Sequence, residues 1–322
     1  MKAFRTVDFD QDPTFCEINK PEPRPGELLV RITSCGLNFA DLLMMKGKYQ
    51  ETPEPPFTMG LEIAGVVEAL GEGTEGPEIG SRVAIFGGRG GLAEYGVFPA
   101  ERAVVIPDTM SADTAAGFQV AYGTSHLALT HRAQLRAGEN LLVLGAAGGV
   151  GLTAVEVGKA MGANVIACAR GKDKLEVARA AGADHLIDSE TDDLRGAIKA
   201  LGGADVVYDP VGGELFEHAF RACNPDARIL TIGFASGTVP QAKLNHMLVK
   251  NISVIGFYWG GYLKFNPKAL TDSMDELMRW NAEGKLKPAI NQVLPFDQTE
   301  EALAMLKERR STGKVVIRIS DG

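Results

Sequence analysis

The stretch from Asn140 to Arg170 limits what this chain can fold into more than any other. Leu141-Leu142-Val143-Leu144 is a short apolar run without alternation, as expected of a strand covered on both faces of a parallel sheet. It leads into the glycine-rich turn Gly145-Ala146-Ala147-Gly148-Gly149-Val150-Gly151. Val150, Ala154, Val157 and Met161 then recur at spacings of four, three and four, which is one face of a helix. Val165-Ile166-Ala167-Cys168-Ala169 reads as a second strand that ends on Arg170. Strand, turn, helix and strand together are the context in which a glycine pattern predicts a dinucleotide site.

The prediction has a physical basis. Bare backbone at Gly148 lets a pyrophosphate come close, and Gly151 lets the helix lie tightly on the strand. The free N–H groups at the helix start, with the helix dipole, favour the anion. Ala146, Ala147, Gly148, Gly149, Val150 and Gly151 are therefore candidate cofactor-binding residues, although Ala146 replaces the first glycine of the pattern. An ordinary tight turn in another α/β protein is the competing reading. NAD sites usually place Asp or Glu at the end of the second strand, to accept bonds from the ribose hydroxyls. Here that position is Arg170, with Lys172 and Lys174 close behind. A carboxylate repels a 2′-phosphate, whereas a guanidinium holds it with charge-assisted bonds. NADPH is accordingly expected over NADH, with Arg170 and Lys174 at the phosphate; a solvated basic turn is the alternative.

A chain of 322 residues is long for one core and suits two domains. A net charge of −8 argues against a nucleic-acid partner, which needs a basic field. No apolar run is long enough to span a bilayer, and the start lacks a signal-peptide core. Cys16, Cys35, Cys168 and Cys223 show neither disulfide nor metal-site spacing, so a reducing cytoplasm is the simplest compartment.

Residues up to about 110 read as β-rich, with strands expected at Leu28–Thr33, Ile63–Ala69, Arg82–Phe86, Glu94–Phe98 and Ala103–Ile106, a twisted and partly closed antiparallel barrel. Ser111–Ala137 reads as helical. From Asn140 the pattern becomes regular strand–helix alternation, with strands near 140–144, 164–169, 184–187, 205–209, 228–232 and 252–256, a doubly wound parallel sheet. Helices are expected over Leu270–Trp280 and near Thr299–Arg309, then a closing strand Lys314–Ile319. The cofactor domain is thus placed at 119–258, and 1–118 with 259–322 form a discontinuous second domain.

This order resembles the medium-chain dehydrogenase/reductase superfamily. Cys35-Gly36-Leu37-Asn38-Phe39-Ala40-Asp41, Gly47-Lys48-Tyr49, Ala146-Ala147-Gly148-Gly149-Val150-Gly151, Val207-Tyr208-Asp209-Pro210-Val211-Gly212-Gly213 and Gly313-Lys314-Val315-Val316 are similar to its quinone oxidoreductase (zeta-crystallin-like) branch, over nearly the whole chain. The resemblance implies an α/β Rossmann domain beside a GroES-like barrel. Alcohol dehydrogenases of this superfamily bind a catalytic zinc at positions that here are Asn38, Leu61 and about Ala116, an amide and two apolar side chains. No metal is expected.

Zinc-free members reduce acceptors that are already electron-poor. The resemblance puts Asn38 and Tyr49 in the substrate cleft and Asp41 near the nicotinamide, which makes these three the candidate catalytic residues. Asn38 to Asp41 also reads as a helix N-cap with an acid at N3. Leu43 stands where many members have a second tyrosine, so a two-tyrosine mechanism is not carried over. Gly233 and Phe234, Phe257 and Tyr258, and Lys314 from the tail are implied cofactor contacts, core packing being the alternative for the aromatics. Cys35 reads as a buried, inert thiol rather than a reactive one. In the resembled family the edge at 252–256 pairs across a homodimer. Three functions stay open: NADPH-dependent quinone reduction, NADPH-dependent reduction of enones or enoyl thioesters (the run Leu37–Asp41 also resembles polyketide enoylreductase domains), and low-turnover NADPH binding.

Overall fold

The computed structural model describes residues 1–320, in two compact units: Met1–Val120 with the chain from Ala289 on, and Ala121–Pro288. The first segment carries β1 (Lys2–Thr6), β2 (Thr14–Glu17), β3 (Glu27–Gly36), α1 (Phe39–Met44), β4 (Phe57–Thr58), β5 (Glu62–Leu70), β6 (Arg82–Phe86), β7 (Tyr95–Pro99), β8 (Ala103–Val105) and α2 (Ala112–Ala116). The chain passes to the second unit within α3 (Gln119–Leu127). There follow β9 (Asn140–Leu144), α4 (Gly149–Ala160), β10 (Asn164–Ala169), α5 (Lys172–Ala180), β11 (His185–Asp188), α6 (Leu194–Ala200), β12 (Ala204–Asp209), α7 (Gly213–Ala222), β13 (Cys223–Thr231), α8 (Leu244–Lys250), β14 (Ser253–Gly256), α9 (Tyr262–Phe265) and α10 (Pro267–Ala282). The tail adds β15 (Ile290–Pro295), α11 (Thr299–Lys307) and β16 (Lys314–Arg318) to the first unit.

In the first unit β3 is the spine. It pairs antiparallel with β5 along one side and with β7 and then β16 along the other, in the order β15-β16-β3-β5-β6-β8. A smaller sheet, β2-β1-β4, forms a separate ladder whose Phe4 and Phe57 enter the same core. Val30, Ile32, Ile63, Ile85, Val315 and Ile317 meet in one apolar core, so the returning tail is part of that core. β16 pairs antiparallel with β3 at Gly36, which brings the tail to the head of α1.

The second unit is one sheet of six parallel strands in the order β11-β10-β9-β12-β13-β14. Leu142, Leu144, Ile166, Val207 and Ile229 are fully buried in it, with Phe216 and Phe220 of α7 laid against them. Helices on the sheet faces explain why these strands read as continuous apolar runs.

Ser111–Ala137 is helical in three pieces: α2 ends at Gly117, α3 follows, and a π-type turn spans Ala128–Arg132. One expectation is corrected. The return to the first unit falls at Pro288–Ala289, not at 259. The reason is α10. Its Ser273 hydroxyl lies 2.8 Å from His126 Nδ1 of α3, and its Trp280 stands edge-on to the same imidazole with ring centroids 5.0 Å apart. Leu270, Met274, Leu277 and Trp280 of α10 are buried, so the helix belongs to the second unit. Among the described residues no helix is long and apolar enough to cross a membrane.

Candidate functional site

All six strands of the second unit are parallel, so their carboxyl ends share one edge. The order reverses between β9 and β12, the switch point at which open α/β sheets leave a crevice for ligands. The turn after β9 opens there. Gly148 is the N-cap of α4, and no side chain caps this helix. The first-turn N–H groups of Gly149, Val150 and Gly151 lie too near the helix start to reach an intrahelical acceptor. A Cβ on Gly148 would meet only the Gly145 carbonyl oxygen, at 3.4 Å, so its Cα borders open space. A Cβ on Gly151 would stand 2.1 Å from that same oxygen, so only glycine lets α4 begin this close to the turn. Ala146 and Ala147 are buried beneath it. An uncapped helix start with bare, accessible backbone fits the pyrophosphate of a dinucleotide.

The other expected cofactor residues, Lys314 apart, fall along the same edge. Arg170 follows β10, exposed, with its Nε 3.6 Å from Glu190 Oε1. Lys174 is half-buried in the first turn of α5. Gly233 and exposed Phe234 follow β13, where the Asp209 carbonyl accepts from Ile232 and Gly233 N–H at 2.9 and 3.3 Å. The buried Asp209 carboxylate accepts Val211 and Gly212 N–H at 2.8 Å each, while burial pushes its pKa up. Phe257 and Tyr258 follow β14. Tyr258 is half-buried, but Phe257 is buried against Tyr262, ring centroids 5.7 Å apart, which is the core-packing alternative.

In the first unit a buried polar cluster surrounds the head of α1. Lys314, at the start of β16, is 5% exposed, and its Nζ donates to Leu37 O at 2.8 Å, Asn38 Oδ1 at 2.8 Å and Glu62 Oε1 at 2.7 Å. Three acceptors match the three hydrogens of an ammonium. Asn38 Nδ2 donates to Glu62 Oε1 at 2.9 Å and to Gly36 O at 3.4 Å, and Glu62 Oε2 accepts Val120 N–H at 3.0 Å. Asp41 reaches back from N3 of α1 to accept Asn38 N–H at 2.8 Å. Asp41 is wholly buried, and burial pushes its carboxyl up to about 7, against the opposing pull of the Asn38 N–H and the Lys314 ammonium. Burial likewise raises the Cys35 thiol well above its ordinary value, with Asp41 and Glu62 adding to it, so the sulfur stays protonated. Tyr49 lies beyond α1, half-buried against the apolar core, with its backbone bonded to the Thr52 hydroxyl at 3.1 and 2.8 Å.

Asn38, Asp41 and Lys314 are thus brought together, but facing inward. Lys314, expected at the cofactor, has its ammonium filled by partners of its own unit. Asp41 shows no surface to a cleft, because its carboxylate closes the start of α1. Both ends of the Asn38 amide are engaged. Sequence reasoning misses Glu62. Gly60-Leu61-Glu62 draws attention to the leucine standing where zinc enzymes have histidine, and the cation that answers Glu62 lies 252 residues away.

The same geometry tests the zinc site. Asn38 Oδ1 already faces an ammonium, and Leu61 and Ala116 are buried apolar residues. Among the described residues no group of three or more His, Cys, Asp or Glu is placed to hold a metal ion. With a lysine charge at Asn38 and two positions lacking donor atoms, these residues do not fit zinc.

Comparison with known proteins agrees with this architecture. Residues 24–108 match the family model of the alcohol dehydrogenase GroES-like domain, and 149–280 match that of the zinc-binding dehydrogenases. A quinone oxidoreductase-like protein 2 homolog of Nematostella vectensis is 39% identical over 298 residues, covering 91% of this chain and 81% of its own length. Quinone oxidoreductase-like protein 2 of Bos taurus is 36% identical over 312 residues, 95% of this chain and 89% of its own. Among solved structures, the quinone oxidoreductase of Thermus thermophilus, known also in complex with NADPH, is 34% identical with a TM-score of 0.88, over 99% of this chain and 100% of its own.

Proposed function

Because this chain belongs to the medium-chain dehydrogenase/reductase superfamily, in its quinone oxidoreductase branch, we propose that it is a zinc-independent reductase that uses NADPH to reduce a quinone. The observation that carries the reading is the bare, uncapped start of α4 at the switch point of the parallel sheet. Gly148 to Gly151 would hold the pyrophosphate, Arg170 and Lys174 the 2′-phosphate, and Gly233, Phe234 and Tyr258 would border the nicotinamide side. When bound, NADPH supplies a hydride to an acceptor whose own carbonyls already draw electrons. The Lys314–Glu62–Asn38 cluster fills the place of a metal with an internal ion pair, which supports zinc independence. Tyr49 offers a phenol that donates to a quinone oxygen or lies flat on its ring. Asn38 and Asp41 act as positioning residues that fix α1, and with it the loop carrying Tyr49.

The test is NADPH consumption, followed by absorbance, against an ortho-quinone, a para-quinone, a simple enone and a trans-2-enoyl thioester. Turnover confined to quinones, with kcat/KM lowered about tenfold in Tyr49→Phe, is the expected result. Preference for the enoyl substrates reassigns the chain to alkene reduction. Tight NADPH binding without turnover makes it a binding protein.

We also propose a homodimer formed through β14. This strand is the last of its sheet, and exposed Leu244, Leu248 and Val249 lie on α8 just before it. An open strand beside apolar side chains favours pairing with a second copy. A monomeric mass in light scattering at micromolar concentration would refute this. The four free thiols suit a reducing compartment.

A further inference from the structure

Arg170 does not wait alone for a phosphate. β10 and β11 run parallel with Ala169 beside Asp188, so the loops that follow them leave the sheet together. One carboxylate oxygen, Asp188 Oδ1, accepts Gly171 N–H at 3.1 Å from the first loop and Glu190 N–H at 3.0 Å from the second. Ser189 N–H closes the pair on Ala169 O at 3.0 Å. The two loops are therefore pinned to each other. Their side chains continue the contact, with Glu190 Oε1 3.6 Å from Arg170 Nε and the two side chains 57% and 49% exposed. The backbone N–H bonds hold the Asp188 carboxyl below the usual range, so this neighbour is charged as well.

We propose that Glu190 is a specificity-determining residue that competes with the cofactor's 2′-phosphate for Arg170, and so lets NADH in beside NADPH. This rests on the dinucleotide reading above. A phosphate monoester carries close to two negative charges at neutral pH. At Arg170 it shares the guanidinium with Glu190, whose carboxylate faces Nε at 3.6 Å, and it stands near two carboxylates. A 2′-hydroxyl meets no such repulsion and can donate to the carboxylate that repels the phosphate. The basic residue selects NADPH, and the acidic loop opposite weakens the selection. Exposed pairs are worth little, and salt screens the repulsion, so the effect is modest: Glu190→Gln is expected to tighten NADPH about fivefold at low ionic strength and to leave NADH within about twofold.

The experiment titrates NADPH and NADH into the wild-type protein, Glu190→Gln, Arg170→Ala and the double variant, at two ionic strengths. Adenosine 2′,5′-bisphosphate and 5′-AMP serve as probes of the adenosine half alone. Support is a rise in the NADPH/NADH preference in Glu190→Gln that shrinks with salt and is clearly smaller in the Arg170→Ala background, where only the direct repulsion remains. Equal tightening of both cofactors, which is a general charge effect, or no change at all overturns the proposal while the dinucleotide reading stands. A wild-type protein that binds neither cofactor and neither probe overturns both. Glu190 is exposed, and an unchanged melting temperature of the variant establishes that its fold is intact.

Discussion

Lys314→Met probes the buried cluster most directly. Glu62 is 1% exposed and Lys314 is 5% exposed, so the pair lies out of water. Removing the ammonium leaves the Glu62 carboxylate with two donors, Asn38 Nδ2 and Val120 N–H, and strips a donor from both Asn38 Oδ1 and Leu37 O. Breaking a buried pair from one side costs about 3–5 kcal/mol, because the remaining charge stays desolvated. In a unit of this size each kcal/mol moves the melting temperature by about 2–4 °C, so the transition should fall by roughly 10 °C. The assay can tell the two units apart. Trp259 and Trp280 both lie within Ala121–Pro288, so indole fluorescence reports the second unit while calorimetry records both. The Lys314→Met shift should appear in the heat trace and be largely absent from the fluorescence trace. Adding Glu62→Gln removes the stranded charge and should restore at least half of the loss. A single-variant shift under about 2 °C, or a double variant no better than the single, would refute a buried, mutually dependent pair.

Other perturbations read other parts of the chain. Asp41 binds its proton up to about pH 7 in the fold against an ordinary 3.8, so the native state holds more protons than the unfolded one between those values. Its contribution, on the order of 4 kcal/mol, is complete below about pH 4 and is lost as pH rises through 7; Asp41→Asn should flatten the pH 5–8 slope of first-unit stability relative to wild type in denaturant titrations. Gly151→Ala sets a methyl 2.1 Å from the Gly145 carbonyl oxygen, and the forced shift of α4 should cost about 1–3 kcal/mol and weaken NADPH at least tenfold by calorimetric titration. In the second unit the Tyr122 hydroxyl donates to buried Glu156, whose carboxyl is pushed up to about 7 by burial and held down by that bond. Tyr122→Phe should therefore cost about 1.5–3 kcal/mol at pH 8, where Glu156 is charged, and less at pH 5, as followed by tryptophan fluorescence.

The parallel sheet is legible in the sequence because its central strands are buried on both faces, so 140–144 and 164–169 announce themselves as apolar runs at the bounds the structure gives. The glycine turn is legible because backbone geometry alone decides which positions tolerate a Cβ. β15 is not: in Ile-Asn-Gln-Val-Leu-Pro the exposed positions are Asn291, Val293 and Pro295, so polarity does not follow the pleat, and β16 pairs with it along its length. The helical character of 111–137 is legible, and Gly117, the C-cap of α2, is the local sign of the first break within it. α10 falls to the wrong unit because amphipathicity shows that a helix buries a face, not which partner receives it. The site is obscured in the same way. Sequence draws the eye to Asn38, Asp41 and Lys314, but the inward orientation of Asn38 and Lys314 depends on Glu62, and nothing near Glu62 in the chain names its cation.

The returning tail also sets an order on synthesis. Residues 121–288 are continuous and finish as a segment before the last strands exist, while β3 must wait for β16 to take its place beside Gly36. At ordinary elongation rates of about 5–20 residues per second, the 252 residues between Glu62 and Lys314 take roughly 10–50 seconds to emerge. For that interval Glu62 has no lysine, and the first-made half of the protein is the last to be completed. The newborn chain therefore passes through a stage in which the second unit is whole and β3 still lacks β16 beside Gly36.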